Sequence, residues 1–462
     1  MKKTNIFLMV ILIALFTLVL YACSNDKSIN FSVDETTKTL TISGEGLVKS
    51  SPFAENDERV LLIDTIVFDD EITGLDCSLL SFSNTKKIVF GKNFSHIAYE
   101  GDENSNYILP LYIESFEIDA NNKHLAYDND GILRNQETVF YCTNKGLKDF
   151  VCDKSIKTIN AGAFENVDLK NLKLNDGLER IGAFAFASEN FFVDTLVIPE
   201  SVREIGFGAF TGAYGGEETK INNLIFKGTT KIAANAFYMS GIKEVDFGNA
   251  NIEIGSQAFY CCKIKELSIS NNIRSVGGLA FAYNPLKKVK INTKDSDIDS
   301  TAFSFSAEEV FFEVDNQNIN WCSDERGSLY SKDMSTLYYT NHYDIKDGKI
   351  TFGEGFETLE SYCVTINDAK CFIVAEGVIN IQDYALDNVH ANNIVIPSTV
   401  EKLGHISVGD MDYYNYESVT ILNPECNLDD FYCGSIETIK GYKDSTAEKF
   451  AIENDINFVG IT

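Results

Sequence analysis

The sequence predicts a repeat solenoid with a parallel β-sheet on one face, turns and short helical segments on the other, and capping strands at both ends. Three recurring features predict this fold: an Ala-Phe pair every 22 to 27 residues, an Ile or Val four residues before each Ala, and a short apolar-x-apolar segment between pairs. Periods of about 20–30 residues are typical of solenoids, whose coils pack mainly on their neighbours. The seven pairs are Ala163-Phe164, Ala185-Phe186, Ala209-Phe210, Ala236-Phe237, Ala258-Phe259, Ala280-Phe281 and Ala302-Phe303.

The apolar-x-apolar segments predict the strands of the sheet. Residues 196–198 (Leu-Val-Ile) and 224–226 (Leu-Ile-Phe) show the period-two alternation of a strand with one buried face. We therefore expect the middle residue of each segment to point outward, and the Ala-Phe pairs to fill the interior. A glycine often follows the recurring Ile, as at Gly182 and Gly206. It predicts either a positive φ or a close approach of two backbones.

The array is expected to run over residues 62–425 as one continuous domain. Two stretches, near 100–150 and 313–350, interrupt the period. Each contains short alternating segments separated by turn residues, so each predicts a β-hairpin that enlarges one coil. Residues 30–61 are predicted to form an N-terminal cap, and residues 426–462 a C-terminal cap.

The repeat resembles the bacterial surface leucine-rich repeat family known as BspA-like. Its consensus reads Leu-x-x-Leu-x-Ile-Pro-x-x-Val-x-x-Ile-Gly-x-x-Ala-Phe, and residues 196–210 follow it closely. Residues 39–46 and 439–459 resemble the capping segments of the same family. The resemblance implies a leucine-rich repeat fold of the α/β type, exposure at the cell surface and protein partners from a host or neighbouring cell. It implies no catalytic residues.

The N-terminal segment predicts a secreted, lipid-anchored protein. Lys2 and Lys3 precede an apolar run that closes on residues 20–23, Leu-Tyr-Ala-Cys, which resembles a lipobox. Residues 1–22 are therefore expected to be a lipoprotein signal peptide, Cys23 the lipidated residue and 23–29 a tether. Several acyl chains on Cys23 would give stable anchoring in the bacterial envelope, outside the cytoplasm. The alternative is an uncleaved membrane anchor.

Charge and motif content argue against catalysis and against nucleic acid as a partner. The formal net charge is −29, which repels nucleic acid. No Cys-x-x-Cys pair, EF-hand spacing, P-loop or nucleophile motif occurs, and the five histidines are scattered. We therefore predict no enzyme activity, no cofactor and no metal site. Cys142 with Cys152, or Cys426 with Cys433, could form disulfides, but spacing does not decide this.

The outward strand positions supply the candidate binding residues. Val197 and Ile225 are expected side by side on the sheet face, and Phe311 lies further along the array. Tyr338 and Tyr339 occupy the second enlarged coil and are a further candidate contact. Exposed apolar residues on a repeat surface mark partner sites. The leading prediction is a lipid-anchored surface module for binding or adhesion to a protein. The alternatives are a structural envelope lipoprotein and an accessory lipoprotein that captures glycan or nutrient.

Overall fold

The computed structural model describes residues 17–20, 29–50, 58–76, 82–97, 109, 112–212, 220–306, 310–340, 344–346, 349–352, 355–406, 416–432 and 436–462. Cys23 and most of the predicted signal peptide and tether lie outside these residues. The chain divides into two compact units, Met1–Ser240 and Gly241–Thr462, called here the first and second units. Both are stacks of β-coils, as the repeat period predicts.

The described residues of the first unit form short strands and one 3-10 helix, Glu58–Leu62. Its strands are β1 Thr17–Leu20, β2 Ile29–Asp34, β3 Thr39–Gly44, β4 Gly46–Val48, β5 Thr65–Phe68, β6 Ile72–Leu75, β7 Lys87–Phe90, β8 His96–Ile97, β9 Ser115–Ile118, β10 Ala126–Tyr127, β11 Ile132–Arg134, β12 Thr138–Cys142, β13 Asp149–Val151, β14 Thr158–Ile159, β15 Asn171–Lys173, β16 Arg180–Ile181, β17 Phe192–Ile198, β18 Glu204–Ile205, β19 Lys220–Phe226 and β20 Thr230–Ile232.

Each coil of the first unit contributes strands to two parallel ladders. One contains the apolar-x-apolar segments, as in β5-β7-β9, β13-β15 and β17-β19. The other, β12-β14-β16-β18-β20, pairs the recurring Ile residues with one another. At the N-terminal end, β1, β2 and β3 are antiparallel, and β3 then pairs in parallel with β5. The enlarged coil contains the antiparallel pair β11-β12.

The Ala-Phe pairs form the interior of the coils. Phe164, Phe186, Phe210 and Phe237 are almost fully buried, and their rings stack at centroid distances of 5.1–5.3 Å. The backbone of each pair bonds to the next coil, as where Phe164 N–H donates to the Ala185 carbonyl at 2.7 Å. The predicted core column is therefore confirmed in this unit.

The predicted short helical segments are turns in the described coils. Residues with positive φ flank the Ala-Phe pair on both sides, for example Gly162 (φ 64) and Asn166 (φ 56). A left-handed residue interrupts a right-handed helix, and the three residues between successive interruptions, as between Gly162 and Asn166, are too few for an α-helix. Gly182 serves a different purpose, because a Cβ there would lie 2.5 Å from the backbone nitrogen of Ala161. The close-approach interpretation of this glycine is confirmed.

The second unit has the same construction, and its described residues include one α-helix, α1, Thr446–Glu453. Its strands are β21 Glu244–Asp246, β22 Ile252–Ile254, β23 Glu266–Ser270, β24 Ile273–Val276, β25 Lys288–Asn292, β26 Asp297–Ile298, β27 Phe311–Val314, β28 Trp321–Ser323, β29 Leu329–Ser331, β30 Thr336–Tyr339, β31 Asp344–Lys346, β32 Lys349–Phe352, β33 Thr358–Leu359, β34 Thr365–Val374, β35 Asn380–Ile381, β36 Asn388–Ile396, β37 Lys402–Leu403, β38 Ser418–Ile421, β39 Thr438–Gly441 and β40 Asn457–Gly460.

The second unit pairs β23-β25-β27 and β22-β24-β26 in parallel. Its enlarged coil contains the antiparallel strands β28-β29-β30, after which β30-β33-β35-β37 continue in parallel. The last sheet ends in β38-β39-β40, with α1 between the final two strands. Ser445 caps α1 by accepting a hydrogen bond from Glu448 N–H. No helix in the described part of the chain combines the length and apolar character needed to cross a membrane.

A row of aromatic rings follows the turns of the second unit. Neighbouring ring centroids are 4.6–5.6 Å apart along the row. Several of these residues adopt positive φ, including Tyr283 (φ 56) and Phe305 (φ 55). Such a conformation is costly for a bulky side chain, and ring stacking of about 0.5–1.5 kcal/mol per pair offsets that cost. The row comprises Tyr260, Tyr283, Phe305, Tyr362, Tyr384, His405 and Tyr432.

Three of the cysteines considered for disulfides are free thiols. Cys142, Cys152 and Cys426 are buried and unbridged, so the first of the two open disulfides, Cys142–Cys152, does not form in this structure. Cys433 lies outside the described residues. Cys363 is fully buried within the interior of its coil, as a small apolar residue would be.

Candidate functional site

A groove of about 1100 Å³ crosses the sheet face of the first unit. It lies over β13, β15 and β17, where Val151 is the register partner of Lys173 on the neighbouring strand. Period-two alternation places Leu196 and Ile198 inside the coil and leaves Val197 between them on the outer face. The groove is therefore a direct product of the strand pattern.

The floor of the groove is apolar and open to solvent. Val151 is 70% exposed and Val197 is 40% exposed, far more than the interior residues of the same strands. Leu172 and Phe192 are half-buried beside them. Exposed apolar side chains grouped on one concave surface mark an interaction site, whereas isolated ones do not.

Charged side chains surround this floor. The Lys170 ammonium lies 5.7 Å from the centroid of the Phe192 ring and 3.3 Å from the Asn190 carbonyl oxygen. On the next strand, Asp194 accepts a hydrogen bond of 2.6 Å from Asn222 Nδ2, which fixes the carboxylate at the edge. An apolar centre with a polar rim is the arrangement of a protein-binding surface.

The groove is electrostatically unlike the chain as a whole. Its lining contains three lysines and three carboxylates, whereas the chain has 39 basic and 68 acidic residues. The groove therefore lacks the acidic excess that would repel an anionic segment. The charged lining residues are Lys170, Lys173, Lys227, Asp176, Asp194 and Glu200.

The groove combines an apolar floor with ammonium and carboxylate groups. Among the described residues that line it, none is His, Cys or Ser. No group of three or more His, Cys, Asp or Glu side chains suited to a metal ion occurs in the described part of the chain. The groove can bury apolar side chains and pair with charges, and both contribute to recognition.

The structure brings two of the candidate residues together. Val197 is the register partner of Ile225 across β17 and β19, and Ile225 is half-exposed. Phe311 lies in the second unit and is 41% exposed. Its ring packs so tightly on Gly327 that a Cβ there would meet it at 2.6 Å, and the Lys288 ammonium lies 5.7 Å from the ring centroid.

The two tyrosines of the second enlarged coil differ in their surroundings. Tyr338 is half-buried and stacks on Trp321 at 4.4 Å between ring centroids. Tyr339 is only 3% exposed and packs on Phe312 at 5.2 Å, so the expectation that it faces a partner is corrected. Alternation along β30 allows only one of two adjacent residues to point outward.

Several groove residues, chiefly Val151, Lys170 and Phe192, are not predicted by the sequence pattern. The only signal for Val151 is the three-residue alternation of Asp149–Val151, which is too short to identify a strand. Phe192 begins β17, four residues before the apolar-x-apolar segment that the repeat predicts. The exposed face extends beyond the repeating core, and the repeat therefore does not reveal it.

Comparisons with known proteins agree with the repeat. The model of the BspA type leucine rich repeat region matches six copies, over residues 135–226, 212–322 and 330–414, which together exceed half of the chain. No curated protein matches.

Several solved structures also match. A leucine-rich repeat protein from Bacteroides ovatus is 13% identical, with a TM-score of 0.37, and the match covers 95% of this chain and all of that one. The pneumococcal vaccine antigen PcpA is 14% identical, with a TM-score of 0.36, over 95% of this chain and 98% of its own. A leucine rich cell surface protein from Faecalibacterium prausnitzii is 14% identical, with a TM-score of 0.30, over 95% and 94%.

Proposed function

The chain belongs to the BspA-type leucine-rich repeat family, and from that premise we propose that it is a lipid-anchored cell-surface protein that binds a segment of a protein partner. The single observation that supports this function best is the groove of the first unit, with its exposed floor of Val151 and Val197. The partner is a protein of a host or of a neighbouring cell.

The energetics favour a protein segment as the occupant. Covering apolar surface yields about 25 cal/mol per Å², so two valines and the edge of Phe192 can anchor one or two apolar side chains of a partner. Lys170 and Lys173 can pair with acidic groups of the bound segment, and Asp194 can pair with a basic group of the same segment. Such rim charges contribute mainly to the association rate and the specificity.

A binding screen with two matched variants tests the groove. The soluble chain from residue 24 onward is titrated onto immobilised fibronectin, laminin and collagen. For a partner that binds saturably, Val197→Asp in the groove and Ile225→Asp at its register partner on β19 should each weaken binding by roughly 2 kcal/mol or more, as loss of a buried anchor does. Ser268→Asp, at an exposed strand position of the second unit, is the control and should bind normally.

The outcomes separate the competing functions. Normal binding by both Val197→Asp and Ile225→Asp would refute the groove as the site. If the chain bound saturably to none of the proteins, a structural role in the cell envelope would replace the binding function.

Lipid anchoring has its own test. In a bacterial host fed a labelled fatty acid, the natural chain should acquire label and sediment with membranes. Cys23→Ala should lose the label and either leave the membrane fraction or accumulate as precursor. Full labelling of this variant would refute lipidation at Cys23.

A further inference from the structure

The second unit contains a separate cavity of about 680 Å³ beside its enlarged coil. The cavity lies between β26 and the hairpin strands β28 to β30. Its volume is within the range of small-molecule sites, which extends over roughly 300–1,000 Å³. None of its lining residues belongs to the groove of the first unit.

Two aromatic rings form one wall of this cavity. Trp321 and Tyr338 stack with 4.4 Å between their centroids and 27° between their planes. The backbone around Trp321 is held in place by the buried side chain of Asn318, whose Oδ1 accepts from Trp321 N–H at 2.7 Å. Asn318 Nδ2 donates to the Thr293 carbonyl at 2.8 Å, which ties the wall to the preceding coil. The aromatic pair is therefore organised before any ligand arrives.

Polar side chains converge on the same cavity. Asp297 and Asp333 are both exposed carboxylates on its lining, and Asn320, which directly precedes β28, lines it as well. Asp333 Oδ1 accepts from Ser331 Oγ at 2.6 Å and from Ser335 N–H at 3.0 Å. These bonds lower the pKa of Asp333 to about 2, so it is a carboxylate at neutral pH. All the hydrogen bonds that orient it use Oδ1, which leaves Oδ2 as an acceptor for a ligand.

We propose that this cavity binds a neutral saccharide. A pyranose ring has an apolar C–H face that packs on an aromatic surface, and hydroxyls at its edge that donate to carboxylates and pair with an amide. Tyr338 supplies the surface, Asp297 and Asp333 the charge-assisted acceptors, and Asn320 the amide. Two carboxylates against the single ammonium of Lys332 disfavour anionic sugars. The site is independent of the proposed protein-binding groove.

The chain carries its own reporter for this site. Trp321 is its only tryptophan, so tryptophan emission reports on the wall of the cavity and on nothing else. The full chain is titrated with cellotetraose, maltotetraose and chitotetraose, and with tetragalacturonate as the anionic counterpart. At least one neutral oligosaccharide should change the emission saturably, and tetragalacturonate should bind at least tenfold more weakly. Titration calorimetry on the same samples detects binding that leaves the emission unchanged.

Three variants locate the binding. Tyr338→Ala should weaken it at least tenfold, and Asp297→Asn, which keeps the shape of an exposed side chain, should weaken it several-fold. Tyr442→Ala removes an exposed tyrosine outside the cavity and should bind normally. Circular dichroism establishes that each variant is folded. If Tyr338→Ala fails to fold, Asp297→Asn decides the question.

The proposal is overturned by any of three results. These are no heat and no emission change with all three neutral sugars, equal binding of tetragalacturonate, and normal binding by Asp297→Asn together with folded Tyr338→Ala. Loss of protein binding in the groove variants has no bearing on any of them.

Discussion

Truncating Phe259 to alanine should destabilise the second unit severely. The Phe259 side chain is fully buried. Its ring stacks on Phe281 at 5.1 Å and meets Phe247 edge-on at 6.0 Å. The residue stands at the centre of its coil, where neighbouring backbones are hydrogen-bonded and cannot collapse into the space left behind.

The expected loss follows from these contacts. Removing a buried phenylalanine costs about 3–5 kcal/mol. Phe259 should fall in the upper half of that range, because two aromatic pairs, each contributing about 0.5–1.5 kcal/mol, are lost with it. Phe259→Leu retains most of the volume and should cost about 1.5 kcal/mol or less. Lys290→Ala, at a half-exposed position in the middle of β25, should change stability by no more than about 0.5 kcal/mol.

Urea unfolding followed by circular dichroism measures these free energies, and amide hydrogen exchange shows where the chain opens. Coils interact mainly with their neighbours, so the loss of protection should centre on residues 247–303. The transition can broaden or split, since repeat arrays do not always unfold in one step. Equal destabilisation by Phe259→Ala and Lys290→Ala would refute the assignment of the Ala-Phe column to the core.

Two further outcomes follow from the backbone contacts and the buried thiols. Gly182→Ala should lower the free energy of unfolding by about 1–3 kcal/mol, because its Cβ would overlap a neighbouring backbone. Gly146→Ala is the control and should melt normally, because a Cβ there would lie 3.5 Å from its nearest neighbour. Equal melting temperatures of the two variants would contradict the close approach at Gly182. Burial raises the pKa of Cys142 and Cys426 to about 11 from 9.0. Their contribution to stability is therefore complete below pH 9 and is lost as the pH rises towards 11, because only the unfolded chain releases these protons in that interval. The melting temperature should therefore fall between pH 9 and pH 11. Alkylation of both thiols at pH 9 as fast as in the urea-unfolded chain would contradict their burial.

The repeating core could be predicted from the sequence because the coils bury the same residue types at the same spacing. Ile181 and Ile205 are paired in register, as their spacing from the Ala-Phe pairs requires. The turns could not be predicted in the same way. Phe184 and Leu279 adopt positive φ although bulky side chains disfavour it, since stacking between coils determines the backbone there. Local propensity carries no signal for such a residue.

The candidate sites lie where the coils differ from one another. The repeat pattern predicts only the residues that the coils share, so it does not predict these sites. The groove depends on Val151, in a strand of three residues, facing the same side as Val197 in a strand of seven. The cavity of the second unit depends on the hairpin that places Tyr338 over Trp321. The strand pattern identifies Tyr338 and Val197 as candidates, but only the structure shows what surrounds them.

The parallel pairing between coils also determines how each unit responds to force. The hydrogen bonds that join neighbouring coils lie across the strands, so tension along the stack loads them one coil after another rather than together. A released coil of 22 residues adds about 73–79 Å of extended chain, at 3.3–3.6 Å per residue. Each unit should therefore lengthen in repeated small steps at low force, and act as an extensible spring between its two ends.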